Sequence, residues 1–295
     1  MFSLKKYVFP VGCLLAGMLG AARAADTDPA AALRAKYETL APQLQRNPFQ
    51  RPLVLDSSET SQRLKGDIYA RVDYPFTTVR ASLDDPGHWC DMLLMHINTK
   101  YCRAETRPSG TVLKLNIGKK TPEPLEQAPR VEFDYDVVAT TPDYAAFTLA
   151  AAQGPLGTSD YRIALEAVAL PDGKSFLHLS YSYAMNFSAR LAMRTYLGTV
   201  GRDKVGFTVV GREPDGSPDY VDGVRGVVER NTMRYYLAID TFLATAGAAP
   251  TVRPERRFRN WFTAAEQYPR QLHEMERDEY LDMKRAEYAR QQRIR

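Results

Sequence analysis

The sequence is poor in the residues and motifs that mark common enzymes. It has four histidines in 295 residues. It contains no Gly-x-Ser-x-Gly elbow, phosphate-binding loop, dinucleotide fingerprint or His-Glu-x-x-His zinc motif. These absences exclude the catalytic and cofactor-binding classes that such motifs define, and we expect no cofactor. Whether the protein is an enzyme stays open, and a non-enzymatic role is favoured.

A strong charge imbalance is also missing. The formal net charge is +4, and charged residues make up 25% of the chain. This balance does not demand a nucleic acid or an anionic membrane as partner. After the N-terminus, no segment is long and apolar enough to span a bilayer. The hydrophobic content of 44% is that of an ordinary globular protein, and the length suits one large domain with appendages or two small domains.

The N-terminal residues have the pattern of a secretory signal peptide. Two lysines precede an apolar run from Tyr7 to Leu19, and Ala22-Arg23-Ala24 places small residues at the cleavage spacing. We expect residues 1–24 to be removed before Ala25 and the mature protein to be periplasmic or secreted. An uncleaved anchor is the alternative, but the run falls short of a span of about 20 residues. Cys13 has too little apolar sequence before it to favour lipidation.

Cysteine is scarce, with three in the chain. Cleavage would leave Cys90 and Cys102, an even pair in an oxidising compartment, where we expect a disulfide. The short loop that it closes would contribute about 2–3 kcal/mol of stability. A metal site that uses His88, Cys90, Asp91 and His96 is an alternative, but no standard ligand spacing is present, and no metal is expected. Two free buried thiols are the third possibility.

A long amphipathic helix is predicted from Val221 to Ala246. Its apolar stripe, at steps of three, four or seven, consists of Val224, Val228, Tyr235, Ile239, Phe242 and Ala246. Its polar face carries Arg225, Glu229, Arg230, Arg234 and Asp240. Asp222 can cap the N-terminus, and Gly247 can end the helix. A helix this apolar must pack its stripe against another element, and the sheet before it is the obvious partner.

Most of the chain before this helix alternates apolar and polar residues, as half-buried strands do. The predicted strands are 67–74, 111–119, 131–137, 144–151, 160–170, 175–185 and 204–210. The other predicted helices are 30–45, a short helix from Pro75, 87–95, an inserted helix 186–200, and two charged helices 256–267 and 270–292. Such regular alternation predicts an antiparallel sheet that faces water on one side only.

The turn Pro171-Asp172-Gly173-Lys174 sets the register of two predicted strands. Pro-Asp-Gly suits a three-residue loop with Gly173 left-handed in a bulge. The predicted pairs are Ile163 with Tyr183, Leu165 with Tyr181 and Glu166 with Ser180. In this register, Tyr181 and Tyr183 face the long helix, and His178 faces outward.

The predicted inner face of the sheet is rich in aromatic residues. The side chains that we expect to contact a ligand are Phe133, Tyr135, Phe147, Leu165, Tyr181, Tyr183, Phe207, Tyr235 and Ile239. A plain core favours Leu, Val and Ile. Tyrosine suits an amphipathic cavity, because its ring is apolar while its hydroxyl needs a partner. The alternative is that the hydroxyls bond to each other or to the backbone.

Few titratable residues are candidates for catalysis. His96 is the candidate for a buried acid or base, and a structural histidine is the alternative. Glu132, Asp134 and Asp136 could imitate a row of metal-binding carboxylates, but their alternation with apolar residues places all three on the exposed face. No catalytic residue is assigned.

The order of elements resembles that of a known superfamily. GDIYARVDYPFTTVRASLDDPGHW (66–89) looks like the opening strand and paired helices of the START-like, or helix-grip, superfamily, and RGVVERNTMRYYLAIDTFL (225–243) looks like its closing helix. That superfamily includes lipid-transfer domains and polyketide cyclases. The resemblance implies an α+β fold in which a curved antiparallel sheet wraps around a long C-terminal helix over a hydrophobic cavity. The signal peptide, the inserted helix and the basic C-terminal tail (248–295) depart from the pattern of this superfamily, and no cyclase motif matches.

These observations predict a signal peptide (1–24), an N-terminal helix and arm (25–65), a START-like domain (66–247) and a charged helical extension (248–295). We expect an exported protein that binds a lipid or other hydrophobic small molecule in the cavity, with the inserted helix or the tail over its mouth. The alternatives are a cyclase-like or hydrolase-like enzyme using that cavity, and an envelope interaction module with a filled cavity. The tail could contact a membrane or envelope protein, and no nucleic acid is expected.

Overall fold

The computed structural model describes residues 28–199 and 203–293, and the expected signal peptide lies outside them. The strands are β1 Leu53–Glu59, β2 Arg63–Val72, β3 Thr99–Arg107, β4 Gly110–Ile117, β5 Arg130–Thr140, β6 Tyr144–Gln153, β7 Thr158–Ala169, β8 Ser175–Met185, β9 Val209–Arg212 and β10 Pro218–Tyr220. The helices are α1 Pro29–Gln45, α2 Phe76–Leu83, α3 Pro86–Met95, α4 Phe187–Leu197, α5 Gly223–Ala244, α6 Arg253–Ala265, α7 Pro269–Leu272 and α8 Arg277–Arg293.

One curved antiparallel sheet organises the described residues. Its eight strands follow the order β1-β2-β8-β7-β6-β5-β4-β3, and β9 and β10 form a separate pair. The long helix α5 packs on one face of this sheet, which we call the inner face, mainly against β1, β2 and β8. Gly66 on β2 permits this approach, because a Cβ atom there would lie 2.3 Å from Thr232 Oγ1. The α+β helix-grip architecture is therefore confirmed.

The outer face of the sheet is not uniformly wet, which corrects the prediction. Helix α1 covers part of it and forms a second core with Tyr144, Val168 and Phe176. Leu33, Leu40 and Leu44 supply the helix side of this core, and the rings of Tyr37 and Phe176 lie 5.1 Å apart. The predicted helix 30–45 is thus correct, and its apolar stripe explains why it lies on the sheet.

Helix α5 is buried on more sides than its pattern indicates. Val224, Val228, Ile239 and Phe242 of the predicted stripe are buried, as expected. However, Glu229, Arg230 and Arg234 of the predicted polar face are buried as well, because the loop before β9 and the C-terminal helices cover that side. Asp222 holds the N-cap position without a side-chain bond, and the helix ends at Ala244, with Thr245 rather than Gly247 at the C-cap.

The register between β7 and β8 differs from the prediction by two residues. Gly173 is left-handed, with φ +78°, as predicted. The loop, however, consists of 171–173, since Leu170 bonds Lys174, and the pairs are Ile163 with Tyr181, Leu165 with Leu179 and Glu166 with His178. A shift of two preserves which face each side chain occupies. Tyr181 and Tyr183 therefore point inward and His178 outward, as predicted.

Two strands of the large sheet are absent from the sequence prediction. The expected arm contains β1, which pairs with β2 along Leu53–Glu59. Strand β3 pairs with β4 and forms the opposite edge. In contrast, the predicted strand 204–210 is mostly loop, with β9 beginning at Val209. Phe207 lies in this loop, so its side chain is positioned by Phe49 and Tyr268 and not by a strand of the sheet.

The C-terminal helices pack against the same side of the sheet as α5. The Trp261 and Tyr280 rings stack at 5.1 Å, and the Tyr280 hydroxyl donates to the Met95 carbonyl oxygen at 2.9 Å. Phe258, Leu272 and Met283 of the C-terminal helices are buried. The tail is therefore an integral part of the folded body.

A disulfide joins Cys90 of α3 to Cys102 of β3, with 5.1 Å between their Cα atoms. This confirms the expected pairing and rules out the reading of these cysteines as metal ligands or free thiols. It also ties the paired helices to the sheet edge that packs against α8. Of the helices within the described ranges, none is long and apolar enough to cross a membrane.

Candidate functional site

A small apolar void lies where the sequence predicts a cavity. Its lining comes from α3, β7 and α5 and consists of Trp89, Met92, Leu93, Ile163, Tyr235, Ala238 and Ile239. Its volume is about 10 Å³. That is room for about one water molecule, whereas drug-sized ligands occupy sites of roughly 300–1,000 Å³. This void between the sheet and α5 is thus far too small for a lipid.

The structure brings most of the predicted ligand-contact residues into one core. Phe133, Tyr135, Phe147, Leu165, Tyr181, Tyr183, Phe207 and Ile239 are buried, and Tyr235 is half-buried against them. Only Tyr235 and Ile239 of this set line the void. The others pack around it. Their role as ligand contacts stays a prediction.

Four tyrosines form the polar part of this core. The Tyr181 ring lies 5.1 Å from that of Tyr235, and the Tyr161 ring stacks on Tyr183 at 5.2 Å. The Tyr161 hydroxyl donates to Thr158 Oγ1 at 3.0 Å, and Tyr181 interacts with Tyr161 and Asn231. Burial raises the pKa of Tyr181 well above its usual value. These hydroxyls are therefore neutral donors and acceptors.

Tyr135 and Phe207 have structural contacts away from the void. The Tyr135 hydroxyl donates to the Leu83 carbonyl oxygen at 3.1 Å, and so fastens α2 to β5. Phe207 packs between Phe49 and Tyr268, with ring centroids 5.8 Å and 5.4 Å away. Phe207 therefore lies beside the tail and is separated from the tyrosine group.

His96, the predicted acid or base, lies at the end of α3 and is buried. Its Nδ1 accepts a hydrogen bond from the Asn98 amide at 3.2 Å, and its ring stacks on Tyr235 at 4.8 Å. Burial lowers its pKa well below the usual value, and the positive charges of Arg234 and Lys284 lower it further. His96 is therefore neutral at pH 7. Its Nε2 is buried and has no hydrogen bond of ordinary geometry. The side chain of Asn231 nevertheless interacts with the His96 ring and opposes the lowering of its pKa.

The sequence prediction missed the contribution of α3 to the void. Met92 and Leu93 follow Trp89 by three and four residues, so the three side chains lie on one face of the helix. The Trp89 indole also donates to the Leu83 carbonyl oxygen at 2.8 Å, which fixes its ring beneath the sheet. The apolar spacing of these side chains was a usable signal for one buried face of α3, although Cys90, Leu94 and Met95 of this helix are buried as well.

One end of the sheet carries exposed apolar side chains. Leu156, in the turn between β6 and β7, is 86% exposed, and Phe187 and Leu191 of α4 are 83% and 57% exposed. Arg190 of α4 is instead buried and bonds Glu59 at 2.6 Å. The sequence pattern of the inserted helix predicts the reverse, with Leu191 on the apolar side and Arg190 exposed. Helix α4 is thus attached by an ion pair and presents apolar groups outward.

A larger groove runs between the tail and the segment after β4. It has a volume of about 530 Å³. Its lining consists of Lys120, Thr121, Pro122, Glu123, Glu274, Met275, Glu279, Asp282, Met283, Ala286, Glu287 and Arg290. The sequence offered no sign of it, because its two walls are more than 150 residues apart in the chain.

Ion pairs around the buried carboxylate of Glu274 lie at this groove. Glu274 binds Lys120 at 2.6 Å, Arg234 at 2.8 Å and Lys204 at 3.0 Å. Burial opposes its ionisation, but Arg234 and Lys120 lower the pKa of Glu274 to about 2. Burial lowers the pKa of Lys120 to about 8, an effect that Glu274 only partly offsets.

A second carboxylate, Glu287, serves two buried lysines. Lys100 and Lys284 bind its two oxygens at 3.1 Å and 2.8 Å. Lys284 also donates to the carbonyl oxygens of His96 and Thr99, and burial lowers its pKa to about 8. These bonds hold α8 against the start of β3.

The carboxylate row on β5 is exposed, as predicted, since Glu132, Asp134 and Asp136 all face solvent. Across the described residues, no group of three or more His, Cys, Asp or Glu side chains could hold a metal ion.

Comparison with known proteins gives likenesses of fold only. No family model matches the chain, and no curated protein matches it. Solved structures with a similar arrangement include Ara h 8.0201 (10% identity, 62% of this chain and 99% of that chain, TM-score 0.35), human StAR-related lipid transfer protein 5 (10%, 74% and 99%, 0.36) and norcoclaurine synthase from Thalictrum flavum (11%, 65% and 88%, 0.33). The architecture is therefore argued from this chain's own strands and helices.

Proposed function

We propose that the protein is an exported binder of a hydrophobic small molecule, which enters between the sheet and α5. The observation that carries this proposal is the position of the void. It lies among aromatic and aliphatic side chains between α3, the sheet and α5, and its lining residues are apolar apart from the polar atoms of Trp89 and Tyr235. Apolar interiors with a few placed polar groups are typical of ligand sites.

Binding requires the protein to open. A volume of about 10 Å³ holds no lipid, so side chains and at least one element must move. Helix α4 is the element best suited to do so. It is held by the ion pair of Arg190 with Glu59 and by the buried side chain of Leu197, while Phe187 and Leu191 point outward. Movement of α4 would uncover apolar surface that a hydrophobic ligand can cross.

Export is supported by two features. The N-terminal sequence has a charged start, an apolar run and small residues at the cleavage spacing. The disulfide between Cys90 and Cys102 is of the kind that persists in oxidising compartments. The resemblance to human StAR-related lipid transfer protein 5 in architecture suggests a lipid as the first ligand class to test.

Uptake of a fluorescent, uncharged lipid tests the proposal. We expect saturable binding by the wild type and faster uptake by Arg190→Gln, because loss of the ion pair frees α4. Arg194→Gln is the matched control, since Arg194 lies on the same helix, is largely exposed and lies 3.8 Å from Glu59. We expect this variant to behave like the wild type. Absence of uptake by every variant would rule out a carrier.

A second candidate is an interaction module whose interior stays filled. The small volume of the void favours it directly. Native mass spectrometry of the protein purified from its own envelope separates the two functions. A small-mass adduct would support the carrier, whereas a bare chain in a stoichiometric complex with another protein would support the module.

A further inference from the structure

The exposed apolar side chains at one end of the sheet come from two segments that are fastened together. Leu156 lies in the turn between β6 and β7, and Phe187 and Leu191 lie on α4. The Asn186 amide donates to the Gly157 carbonyl oxygen at 3.2 Å. A Cβ atom on Gly157 would lie 2.8 Å from Asn186 Nδ2, and its φ of +76° is one that glycine favours. The three apolar side chains therefore belong to one surface, which we call the apolar tip.

Leu156 occupies a position that neither backbone preference nor burial explains. Its φ is +56°, in the left-handed region where leucine is uncommon and glycine or asparagine is favoured. Its side chain is 86% exposed, so it contributes almost nothing to the core. A large apolar side chain that is held in an unfavourable conformation and in water indicates a role in contact with something outside the chain.

Helix α4 is fastened through a buried arginine and exposes its apolar side chains. The Arg190 guanidinium bonds Glu59 Oε1 at 2.6 Å. Phe187 and Leu191 are four residues apart and share one side of the helix, and Arg194, three residues further on, lies on that side as well. The Arg194 side chain is 64% exposed. Apolar side chains followed by a cation are typical of helices at a membrane interface, where the cation lies at the depth of the head groups.

The charge around the apolar tip is positive. The strand ends and the helix at this end of the sheet comprise residues 59–63, 153–162 and 182–199, whose charged side chains are Glu59, Arg63, Asp160, Arg162, Arg190 and Arg194. Four cations thus accompany two carboxylates, one of which is already paired with Arg190. Arg63 and Arg162 are exposed and lie on the strands at either side of Ser182. A surface of this sign complements anionic lipid head groups.

The composition and size of the apolar tip favour a bilayer over a protein partner. Among the described residues, the other exposed large apolar side chains are all valines. A stable protein interface takes about 20–30 residues on each side, whereas the tip offers three large apolar side chains. Insertion into lipid needs no complementary surface, only a few apolar side chains with cations beside them.

We propose that the apolar tip docks on the surface of an anionic phospholipid bilayer. Leu156, Phe187 and Leu191 insert beneath the head groups, while the exposed arginines of α4, β2 and β7 contact the lipid phosphates. Docking goes beyond the carrier function and does not depend on it, because the tip is already formed while the interior is closed.

Co-sedimentation with vesicles of phosphatidylglycerol and phosphatidylcholine in equal parts tests the proposal. We expect the protein to bind, and Phe187→Ser to lose at least tenfold in partition coefficient, because a large apolar side chain no longer leaves water. Leu156→Asn should also weaken binding while it keeps the turn, since asparagine tolerates the left-handed conformation. Val138→Ser is the matched control, because Val138 is 59% exposed toward the other end of the sheet. Its partition should equal that of the wild type.

The substitution Phe187→Trp reports where this side chain goes. Trp89 and Trp261 are buried, so the wild-type emission should change little when vesicles are added. We expect Phe187→Trp to bind like the wild type, with emission that shifts to shorter wavelength and is quenched by lipids brominated on their acyl chains. Binding without this shift and quenching would show that the tip stays outside the bilayer and would overturn the proposal.

Lipid composition separates charge from apolar insertion. Vesicles of phosphatidylcholine alone should bind the protein at least tenfold more weakly, and added salt should weaken binding to the anionic vesicles. Equal binding to both kinds of vesicle, or equal binding of Phe187→Ser and the wild type, would overturn the proposal. Dimerisation in solution that Phe187→Ser abolishes, without vesicle binding, would assign the tip to a second copy of the chain and overturn it too.

Two controls keep these results interpretable. Thermal unfolding of each variant verifies that the fold is retained. Docking is measured on vesicles that contain no fluorescent lipid, whereas uptake of the fluorescent lipid is measured without vesicles. Failure of the docking proposal and failure of the carrier proposal can therefore be recognised separately.

Discussion

At the scale of single residues, the ionisable side chain with the best-defined partners is His178 on the outer face. Its Nε2 bonds Asp67 Oδ1 at 2.8 Å, and its Nδ1 bonds Glu166 Oε2 at 2.9 Å. The imidazole also stacks on Tyr69 at 4.2 Å. Two carboxylate partners require two N–H donors, which only the protonated ring provides. His178 is therefore an imidazolium that links β2, β8 and β7.

His178 makes stability depend on pH with a defined sign. Burial lowers its pKa, but the hydrogen bonds with Asp67 and Glu166 outweigh burial and raise the pKa above 6.5. The resulting stability is fully present below about pH 6.5, the pKa of the unfolded chain, and is lost as pH rises through the folded pKa. We expect His178→Gln to reduce the free energy of unfolding by about 1–3 kcal/mol at pH 5.5 and by less at pH 9.

Urea unfolding at the two pH values measures this difference. His88→Gln is the control, because the His88 side chain is more than a third exposed. It should show no comparable change between pH 5.5 and pH 9. A loss for His178→Gln that is equal at both values, or larger at pH 9, would contradict the imidazolium assignment.

At the scale of elements, α8 is attached by an ionic core as well as by apolar contacts. Lys100 and Lys284 have no exposed surface, and Glu287 is 3% exposed. Removal of the one carboxylate that serves both would leave two buried cations without a counter-ion. The Tyr280 ring, packed on Trp261, supplies the apolar part of the contact.

We expect Glu287→Gln to lower the free energy of unfolding by about 3–5 kcal/mol at pH 7, as for other buried charge pairs that lose one partner. The loss should shrink at pH 9.5, because the pKa of Lys284 is already lowered to about 8 and a neutral amine needs no counter-ion. Chemical denaturation at both pH values is the measurement. Glu279→Gln, an exposed position on the same helix, should change stability by less than about 0.5 kcal/mol. Equal effects of the two substitutions would show that the buried pairs add no stability.

At the scale of the whole molecule, the helices are not all packed equally well against the hydrophobic core. Helix α5 is covered by the sheet on one side and by the tail on the other, whereas α4 exposes Phe187 and Leu191. Local opening has a low free energy where few apolar contacts hold an element. The carrier proposal needs such an element.

We therefore expect the backbone amides of α4 to exchange hydrogen at least a hundredfold faster than those of α5. Hydrogen exchange followed by mass spectrometry measures both helices in one experiment, with α3, which the disulfide ties to β3, as an internal reference for slow exchange. Protection of α4 equal to that of α5 would mean that α4 is not the element that opens.

Local patterns were sufficient for most elements of this fold. Alternation over 131–137 and 175–185 identified strands, and the helical spacing from Val224 to Phe242 identified α5, because a half-buried strand or helix must repeat its apolar residues with its own period. The same patterns placed Tyr181 and Tyr183 on the inner face. The pairing of Cys90 with Cys102 followed instead from the even number of cysteines that the expected cleavage leaves. The patterns did not show that α1 covers part of the outer face. The sequences of a fully solvated face and of a face covered at one end differ by only a few apolar side chains.

The amino-acid sequence by itself determined which side chains leave water, through periodicities that act over a few residues. Only the tertiary structure decided how much space remains between them, because that volume depends on how closely α3, β7 and α5 meet, and they lie far apart in the chain. For the same reason, the buried polar face of α5 and the groove between 120–123 and α8 have no local signature. Burial of Arg234 and Glu287 follows from partners more than 35 residues away, which no short-range pattern records.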